Sequence, residues 1–541
     1  MVLRPKSMLF LAEHYRDVSM KSKLQCCLTL SNKSQFRIFC AQQLMPGPVL
    51  KTVAVFWGVI GHVLNDDLKR KSFALACRFF PGKHTYDRIA KLLTDIHDEY
   101  NIPVEKIVCC VTDKLNGSNF VKIYTKFLEG LFKEFGVDFQ SLHHDDSNDE
   151  EDETPNSGDI EDDIQDVDMD NVMTLQEPQV LADSEDSIEE TLILPPHQRC
   201  ASHTLNLIGI NSPIAAAKNN SKYRTLSHSS NGKCSAIWNK VNSPQSNEKI
   251  QEVLGCQIVT PVATRWNSFY DARRSLLVHS PAKLDQLCTS LQLPTFKDVD
   301  ILFMKEEAEV FSHLAQGLDR LQGDKNPESY MGFLFPTLMQ LRHTYRQLSH
   351  SNGLKYCLPL ASAILVDIET RFVNYYTFSE TSQTAALAAI THPAFKLRWL
   401  SGDNVDQMKK LFLNTLRLSA GRLVTGNTAS ASSYVDEGLD SRTLDFFSFM
   451  DNVEVQPTTL QSQAELQGLQ YLEDSDRTLS SLSRYPVIRK LFRQCNVALP
   501  SSAAVERLFS VAGMICTAKR NRLKPQLFEK LLLQRQNLYA M

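Results

Sequence analysis

The sequence lacks any apolar run long enough to cross a membrane, because no stretch of its 541 residues approaches the roughly 18 apolar residues that a bilayer requires. The first residues, MVLRPKSMLFLAEHYRDV, contain only short apolar runs, so we expect no secretory signal. The 13 cysteines lack the spacing of a disulfide framework, which favours reduced thiols in an intracellular protein. A hydrophobic content of 43% is typical of a globular protein without a membrane partner.

Basic residues are absent from residues 145–190, which hold 20 of the 62 Asp and Glu residues of the chain. Such a segment, acidic and without aromatic residues, is typical of a disordered tract. The remaining sequence carries 42 acidic and 58 basic residues, a formal charge of +16. This distribution favours a basic body that faces nucleic acid, although ordinary solubilising charge explains the number equally well.

The length favours two or more domains, and the first of them has an α/β pattern. Two β-branched and aromatic segments joined by a turn predict a hairpin, and an amphipathic helix, a buried central strand and a second helix follow. The segments are KTVAVFWGVIGHVL (51–64), KSFALACRFFP (71–81), HTYDRIAKLLTDIHDEY (84–100), KIVCCVTD (106–113) and FVKIYTKFLEGLFKEFG (120–136). Their order predicts a layered α/β domain with functional groups near the carboxyl ends of its strands.

Helical patterns dominate the chain after the acidic tract, and a segment rich in Ser, Asp and Gln interrupts them. We therefore expect an α/β part and an all-α part. The predicted organisation is an atypical N-terminal segment, a first core part, the acidic tract, a helical domain, a flexible Ser-rich linker and a helical C-terminal region: 1–50, 51–143, 144–194, 195–426, 427–483 and 484–541.

Two acidic residues stand where a carboxylate is able to serve a metal ion. Asp113 ends the predicted central strand and precedes a polar loop, and Glu506 lies in the first turn of the helix predicted from PSSAAVERLFSVAG. Two or three convergent carboxylates suffice for Mg²⁺, and paired ions support phosphoryl transfer. Each residue also has a structural alternative. Asp113 is then a strand-ending residue that caps a turn, and Glu506 is an acidic residue that the helix dipole stabilises.

Two further pairs have a structural and a functional interpretation. Cys200 and His203 have metal-like spacing, but no second pair completes a tetrahedral zinc site, so we favour a structural role at a helix start. Arg265 and Trp266 are able to hold a phosphate and stack on an unpaired base, although a buried Trp that anchors a helix is the commoner case.

The C-terminal segment combines a basic cluster with a strongly apolar helix. Lys519, Arg520 and Arg522 are candidates for phosphate contact or for simple solvation. The helix that follows is too apolar to stand free, so it packs either on its own core or on a second chain. The residues that we assign to self-association are Leu508, Phe509, Leu527, Phe528, Leu531 and Leu532.

Five segments in this order resemble the hAT superfamily of DNA transposases and its domesticated relatives. They are VTDKLNGSNFVKIY, LPPHQRCASHTLNLI, VATRWNSFYDA, THPAFKLRWL and ALPSSAAVERLFSVAGMICTAKRNRL, and the last resembles the hAT C-terminal dimerisation region. The resemblance implies an RNase H-like core split by a large helical insertion, a homodimer, DNA as the partner and an Asp-Asp-Glu triad that binds Mg²⁺ or Mn²⁺. By motif match Asp113 is the second acid and Glu506 the third, and Trp266 occupies the position of the base-stacking Trp.

The chain departs from the family pattern in three places. The first acid is missing, because residues 36–55 contain no Asp or Glu. Lys114 and Leu115 separate Asp113 from the Asn-Gly-Ser-Asn of the motif, and residues 1–50 supply no BED-type zinc finger. Two acids without the third bind metal poorly. We therefore expect a nuclear, dimeric, DNA-binding protein without catalysis, cofactor or small-molecule substrate; the alternatives are an active metal-dependent transposase and a decayed transposon remnant.

Overall fold

The computed structural model describes nine stretches of the chain, which are residues 36–45, 54–81, 86–103, 107–112, 197–261, 266–323, 329–424, 460–516 and 523–537. This part of the chain is mostly helical and contains one five-stranded sheet. None of its helices combines the length and the apolar character that crossing a bilayer demands. The second helix of the predicted α/β domain, at 120–136, and the acidic tract lie outside the described residues.

The strands come first, apart from one that follows the undescribed acidic tract. They are β1 (Phe36–Met45), β2 (Ala54–Leu64), β3 (Arg70–Phe79), β4 (Ile107–Thr112) and β5 (His197–Arg199). The helices of the first part and of the middle of the chain are α1 (Tyr86–Glu99), α2 (Ala201–Asn219), α3 (Ser221–Lys240), α4 (Pro244–Leu254), α5 (Trp266–Leu277), α6 (Pro281–Ser290), α7 (Asp298–Gln322), α8 (Leu334–His350), α9 (Leu358–Arg371), α10 (Val373–Tyr376), α11 (Gln383–Thr391) and α12 (Asn404–Val424). The C-terminal helices are α13 (Leu460–Glu473), α14 (Pro486–Asn496), α15 (Ala503–Ile515) and α16 (Pro525–Asn537).

The sheet has the strand order β3-β2-β1-β4-β5. Strands β1, β2 and β3 form an antiparallel meander, whereas β4 and β5 run parallel to β1. Residue Phe39 of β1 therefore pairs with Ile60 on one side and with Val111 on the other. The predicted hairpin, helix and buried central strand are confirmed in β2, β3, α1 and β4, because period-2 and period-3.6 patterns are local signals.

Both faces of the sheet are covered by helices, which accounts for the nearly continuous apolar character of β2 and β4. One face packs its alternate side chains, among them Trp57 and Val59, against Leu93 and Ile96 of α1. The other face packs Phe56 and Ile60 in the same apolar cluster as residues of α2, α15 and α16. The result is a three-layer arrangement in which helices from both ends of the sequence enclose the strands.

The middle of the chain is an all-helical body that holds buried ion pairs and carboxylates. Arg273 of α5 forms an ion pair with Glu307 of α7, and both side chains are buried. The neighbouring Glu306 carboxylate accepts hydrogen bonds from the backbone N–H groups of residues 355, 356 and 357, at 3.1, 2.7 and 3.0 Å. A buried charge requires partners of this kind, namely an opposite charge or hydrogen-bond donors. We therefore assign these groups a structural role in the helical body.

Two predicted boundaries are wrong. The segment 1–50 is not separate from the core, because β1 at 36–45 lies in the middle of the sheet, where β2 and β4 both pair with it. The linker predicted over 427–483 is also too long, because α13 begins at Leu460. Tyr471 of this helix is fully buried, and its ring packs against Phe412 of α12 at a centroid distance of 6.2 Å. Polar composition concealed this helix, since only one narrow stripe of it is apolar.

Candidate functional site at the carboxyl end of strand β4

Three segments from distant parts of the sequence meet where β4 ends. The backbone N–H of Cys200 donates to the carbonyl of Thr112, the last residue of β4, at 2.8 Å. The N–H of Ala201 donates to the carbonyl of Pro500 at 3.0 Å. The start of α2 is therefore held between the end of β4 and the residues that precede α15.

Cys200 organises this junction through its thiol. Its sulfur accepts a hydrogen bond from the backbone N–H of His203 at 3.2 Å and caps α2 in this way. The same sulfur accepts from the backbone N–H of Ser502 at 3.1 Å and from the Ser502 hydroxyl at 3.3 Å. Burial raises the pKa of the Cys200 thiol, so the sulfur stays protonated at neutral pH. A neutral, buried thiol suits a structural connector better than a metal ligand.

Glu506 lies in the first turn of α15, next to this thiol. Its side chain is half-buried, and its negative charge contributes to the raised pKa of Cys200. The helix is positioned by Val505, Leu508 and Phe509, which pack directly on Gly58 of β2. A Cβ on Gly58 would stand 2.9 Å from a methyl of Val505, so only glycine permits this close approach.

The neighbouring β4 and β1 complete the surroundings of Glu506. Asp113 follows Thr112 in the sequence and itself lies outside the described residues. Strand β1 runs beside β4 and has the sequence FRIFCAQQLM, which contains no carboxylate. Position 41 of β1 pairs with Gly58, the residue on which α15 packs. The strand position nearest to Gly58 and α15 is therefore occupied by alanine.

No metal-binding cluster of three or more His, Cys, Asp or Glu residues exists within the described ranges. Among the predicted acids, Glu506 is described and Asp113 is not. The geometry thus brings one carboxylate, one neutral thiol and the end of β4 together. The described residues of the site supply one carboxylate, whereas a pair of divalent ions needs several shared oxygen ligands.

Trp266 lies at the start of α5 and is 7% exposed. Its indole stacks on the Tyr270 ring at 6.0 Å and meets the edge of the Phe311 ring at 5.0 Å. It also covers Gly209 of α2 so closely that a Cβ there would stand 2.4 Å from the ring. In this conformation the indole anchors α5 against α2 and α7. Its stacking on a base stays a prediction, and Arg265, Lys519, Arg520 and Arg522 lie outside the described residues.

Most of the residues assigned to self-association lie in the core of the chain. Leu508, Phe509, Phe528 and Leu532 are buried, and Leu531 is half-buried. The Phe528 ring packs against Phe56 of β2 at 5.1 Å. Helix α16 also covers the edge strand β3, because the Asn537 amide exchanges two 2.9 Å hydrogen bonds with the backbone of Ala74. Of the two possibilities for this helix, packing on its own core accounts for these contacts.

The sequence offered no indication of the contact that joins β3 to the end of α14. The Arg70 guanidinium donates to the backbone carbonyls of Asn496, Val497 and Ala498 at 3.0, 3.0 and 3.2 Å, and to that of Ser329. Burial lowers the pKa of Arg70 to about 10, so it remains charged. A cation at the C-terminus of a helix complements the helix dipole. Carbonyl acceptors carry no residue identity, and therefore no motif reveals this contact.

Comparison with known protein families gives one match. Residues 458–538 match the hAT family C-terminal dimerisation region, which spans α13 to α16. No curated protein matches the chain. This match supports a hAT-family, transposase-derived protein, as the five sequence segments predicted, and the matched region indicates that it dimerises.

Proposed function

We propose that this protein is a catalytically inactive relative of the hAT transposases that binds DNA as a homodimer in the nucleus. The single observation that carries the inactivity is the composition of β1. This strand lies between β2 and β4 in the sheet and contains no carboxylate, although it runs beside the strand that Asp113 follows. An Asp-Asp-Glu site needs an acid here to share two ions with the other members.

The strand order supports an RNase H-like assignment for the sheet. An antiparallel meander of three strands is extended by two parallel strands next to its first strand. Helix α15 lies on β1 and β2, and the start of α2 links the residues before α15 to Thr112 at the end of β4, which supports a position for Glu506 near the carboxyl end of β4. With an RNase H-like sheet, Glu506 and Asp113 are remnants of a metal-binding triad. Mg²⁺ or Mn²⁺ then lacks a complete set of ligands, because the acid expected in β1 is absent.

A strand-cleavage assay tests the loss of catalysis. The purified full chain is incubated with supercoiled plasmid and with Mg²⁺ or Mn²⁺, and Glu506→Gln and Asp113→Asn variants serve as matched controls. We expect the three proteins to nick the plasmid at the same background rate. Metal-dependent nicking that only the unaltered chain performs would contradict the proposal and favour an active transposase.

The dimer requires a surface other than the buried leucines of α15 and α16. Within the matched region Leu466 of α13 is 55% exposed, and Leu418 of the adjoining α12 is 71% exposed. Each leucine directly follows one member of the ion pair between Arg417 and Glu465, in which the guanidinium Nη2 lies 2.6 Å from the carboxylate. This surface of α12 and α13, apolar and bordered by charges, is the dimer interface that we propose, with a second copy of the chain as its occupant.

DNA binding is supported by the charge of the chain outside the acidic tract and by the family of the matched region. An acidic tract tethered to a basic body reaches an effective concentration in the millimolar range, which is enough to compete with weak phosphate contacts. We expect deletion of residues 145–190 to tighten binding to non-specific duplex DNA, and salt to reduce the gain. Equal affinity of the deleted and intact chains at low salt would show that the tract is only a spacer.

A further inference from the structure

A concave site of about 310 Å³ lies between the segment after α11 and the segment after α13. The first segment contributes Lys396 and Arg398, and the second contributes Ser475 and Arg477. Three cations from two segments nearly 80 residues apart therefore converge on one depression. No motif in the sequence unites them, and neither the catalytic remnant nor the proposed dimer surface includes them.

One lining residue of this site, Asp474, is acidic, and Asp476 follows close by in the sequence; other partners already engage both carboxylates. Asp474 accepts hydrogen bonds from Arg484 at 2.6 Å and from the Tyr485 hydroxyl at 3.0 Å. Asp476 also pairs with Arg484, at 3.0 Å, and accepts from the backbone N–H of Thr478 at 3.0 Å. A hydrogen bond from the backbone N–H of Asp476 at 2.9 Å, together with the bonds from Arg484 and Tyr485, lowers the pKa of Asp474 to about 2, so it stays charged. The two aspartates are therefore held by Arg484 and its neighbours.

The two arginines of the site are left without an anion. Arg398 and Arg477 are exposed, and neither forms an ion pair with a carboxylate of the described residues. Partial burial and the nearby charge of Arg477 lower the pKa of Arg398, which shows that the two cations repel each other. A bound anion would relieve this repulsion, because it would attract both guanidinium groups at once.

Lys396 lines the site, and its side chain is held in place by contacts within the chain. Its ammonium donates to the backbone carbonyl of Asp474 and lies 4.7 Å from the centroid of the Tyr471 ring. Its backbone has a φ of 50°, in the left-handed region that a non-glycine residue rarely adopts. The surrounding contacts hold this conformation and place a buried positive charge beneath the two exposed guanidinium groups.

We propose that Arg398 and Arg477, above Lys396, bind a phosphate group of the DNA backbone. The guanidinium group presents paired N–H donors that match two oxygens of one phosphate, and two such groups match adjacent phosphates as well. The Ser475 hydroxyl at the rim is a further donor. The proposal rests on the DNA binding proposed above and assigns part of it to one place. The site reads no base, so it adds affinity and register without sequence preference.

Fluorescence anisotropy with a labelled 20-bp duplex tests the site over a range of salt concentrations. The test protein is the full chain with Arg398→Gln and Arg477→Gln together, and the matched control carries Arg224→Gln and Lys283→Gln, two exposed cations of the helical body. We expect the test variant to bind about tenfold more weakly at 0.1 M salt, with a slope of log K against log salt that is smaller by about 0.9, the contribution of one phosphate. We expect the control to lose less than about threefold, and Arg398→Lys with Arg477→Lys to retain the wild-type slope.

The outcomes separate failure of the site from failure of DNA binding. If the unaltered chain binds no duplex, the proposed function and the site both fail. If it binds, and the test variant matches it or loses no more than the control, the site alone is wrong. The same variants in a chain without residues 145–190 identify the other possible occupant. If the substitutions tighten DNA binding in the intact chain and have no effect in the deleted one, the site holds the acidic tract rather than DNA.

Discussion

The matched dimerisation region contains two segments with opposite roles. The core segment, α14 to α16, completes the sheet: Leu508 and Leu532 are buried, and Asn537 bonds the edge strand β3. The surface segment, residues 460–477, packs through one narrow stripe and presents Leu466 and Arg477 outward. Helices α13 and α16 have similar shares of apolar residues, so the difference between the two segments lies in which of these residues the rest of the chain covers.

This difference shows how a helix with an apolar face should be interpreted. A helix such as α16 must be covered, and the nearest uncovered apolar surface belongs to its own sheet. An interface between copies has to remain soluble before assembly, so it is formed by a few exposed apolar residues among charges. Helix α13 has this arrangement, because its exposed Leu466 follows the ion-paired Glu465, whereas most leucines of α16 are covered by the core.

The largest expected effect comes from a charge placed in the core segment. Leu532→Asp puts a carboxylate among apolar side chains of α16 and should cost more than about 4 kcal/mol of the free energy of unfolding. Leu527→Asp, on the exposed side of the same helix, should cost less than about 1 kcal/mol. Chemical denaturation measures both, and equal destabilisation would disprove the burial of α16 on its own sheet.

Acid should weaken the junction between α14 and the helical body. His392 lies among the rings of Tyr330, Phe333, Phe395 and Phe492, and burial lowers its pKa to about 4, against 6.5 in an unfolded chain. The unfolded chain therefore binds more protons between these values, and the stability present above pH 6.5 is lost as pH falls towards 4.

The expected loss from this one group is about 3 kcal/mol. Thermal unfolding across this pH range measures it, and the His392→Asn variant, which keeps an acceptor for the backbone N–H of Ala394, is the control. An unchanged pH dependence in the variant would show that His392 is not the titrating group.

Self-association should depend on the surface segment. Leu466→Asp should raise the dissociation constant of the dimer at least about tenfold, because it places a charge in the centre of the proposed interface. Its melting temperature should change little, since Leu466 is exposed. Val278→Asp alters an apolar residue that is 80% exposed and lies outside the matched region, and it should leave the dimer intact. Sedimentation at micromolar concentration measures both variants; a dimeric Leu466→Asp protein would move the interface elsewhere.

The smallest expected effect concerns the start of the core segment. Ser502→Ala removes the hydroxyl that donates to the Cys200 sulfur but keeps the backbone N–H that donates to the same sulfur. We expect a loss of about 1 kcal/mol or less in the free energy of unfolding, because a neutral hydrogen bond to a thiol is weak. Cys200→Ala removes the acceptor of both bonds and should cost more. The reverse order would show that the serine, and not the thiol, organises the junction.

Much of the fold was predictable where the signal is local. The β-branched and aromatic composition of β2 and β3 and the apolar stripe of α1 predicted these elements within a few residues of their observed ends. The stripe of Val505, Leu508, Phe509 and Ala512 likewise predicted a buried helix that begins after Pro500. Helix α13 was missed, because Gln and Ser conceal the few positions, such as Tyr471, that fix it to α12.

The sequence predicted individual residues of the candidate site but not the hydrogen bonds that join its segments. The sequence placed Glu506 on a helix and Asp113 after a buried strand. It did not reveal that Cys200 joins the end of β4 to the start of α15, because a hydrogen bond between residues 200 and 502 leaves no periodic pattern. The burial of Trp266 against Gly209 was one of two open interpretations, and only packing decides between them.

The sequence by itself determined the resemblance to the hAT family, the α/β and helical composition, the acidic tract and the absence of an acid from β1, because each is a property of contiguous segments. Only the tertiary structure decided which apolar residues of the C-terminal region are core and which are exposed. It also decided that Arg398 and Arg477 meet, and that Arg70 of β3 holds the end of α14. The periodicity of apolar side chains indicates that one face of a helix or strand is buried. It does not indicate which segment covers that face, because the covering segment lies hundreds of residues away in the chain.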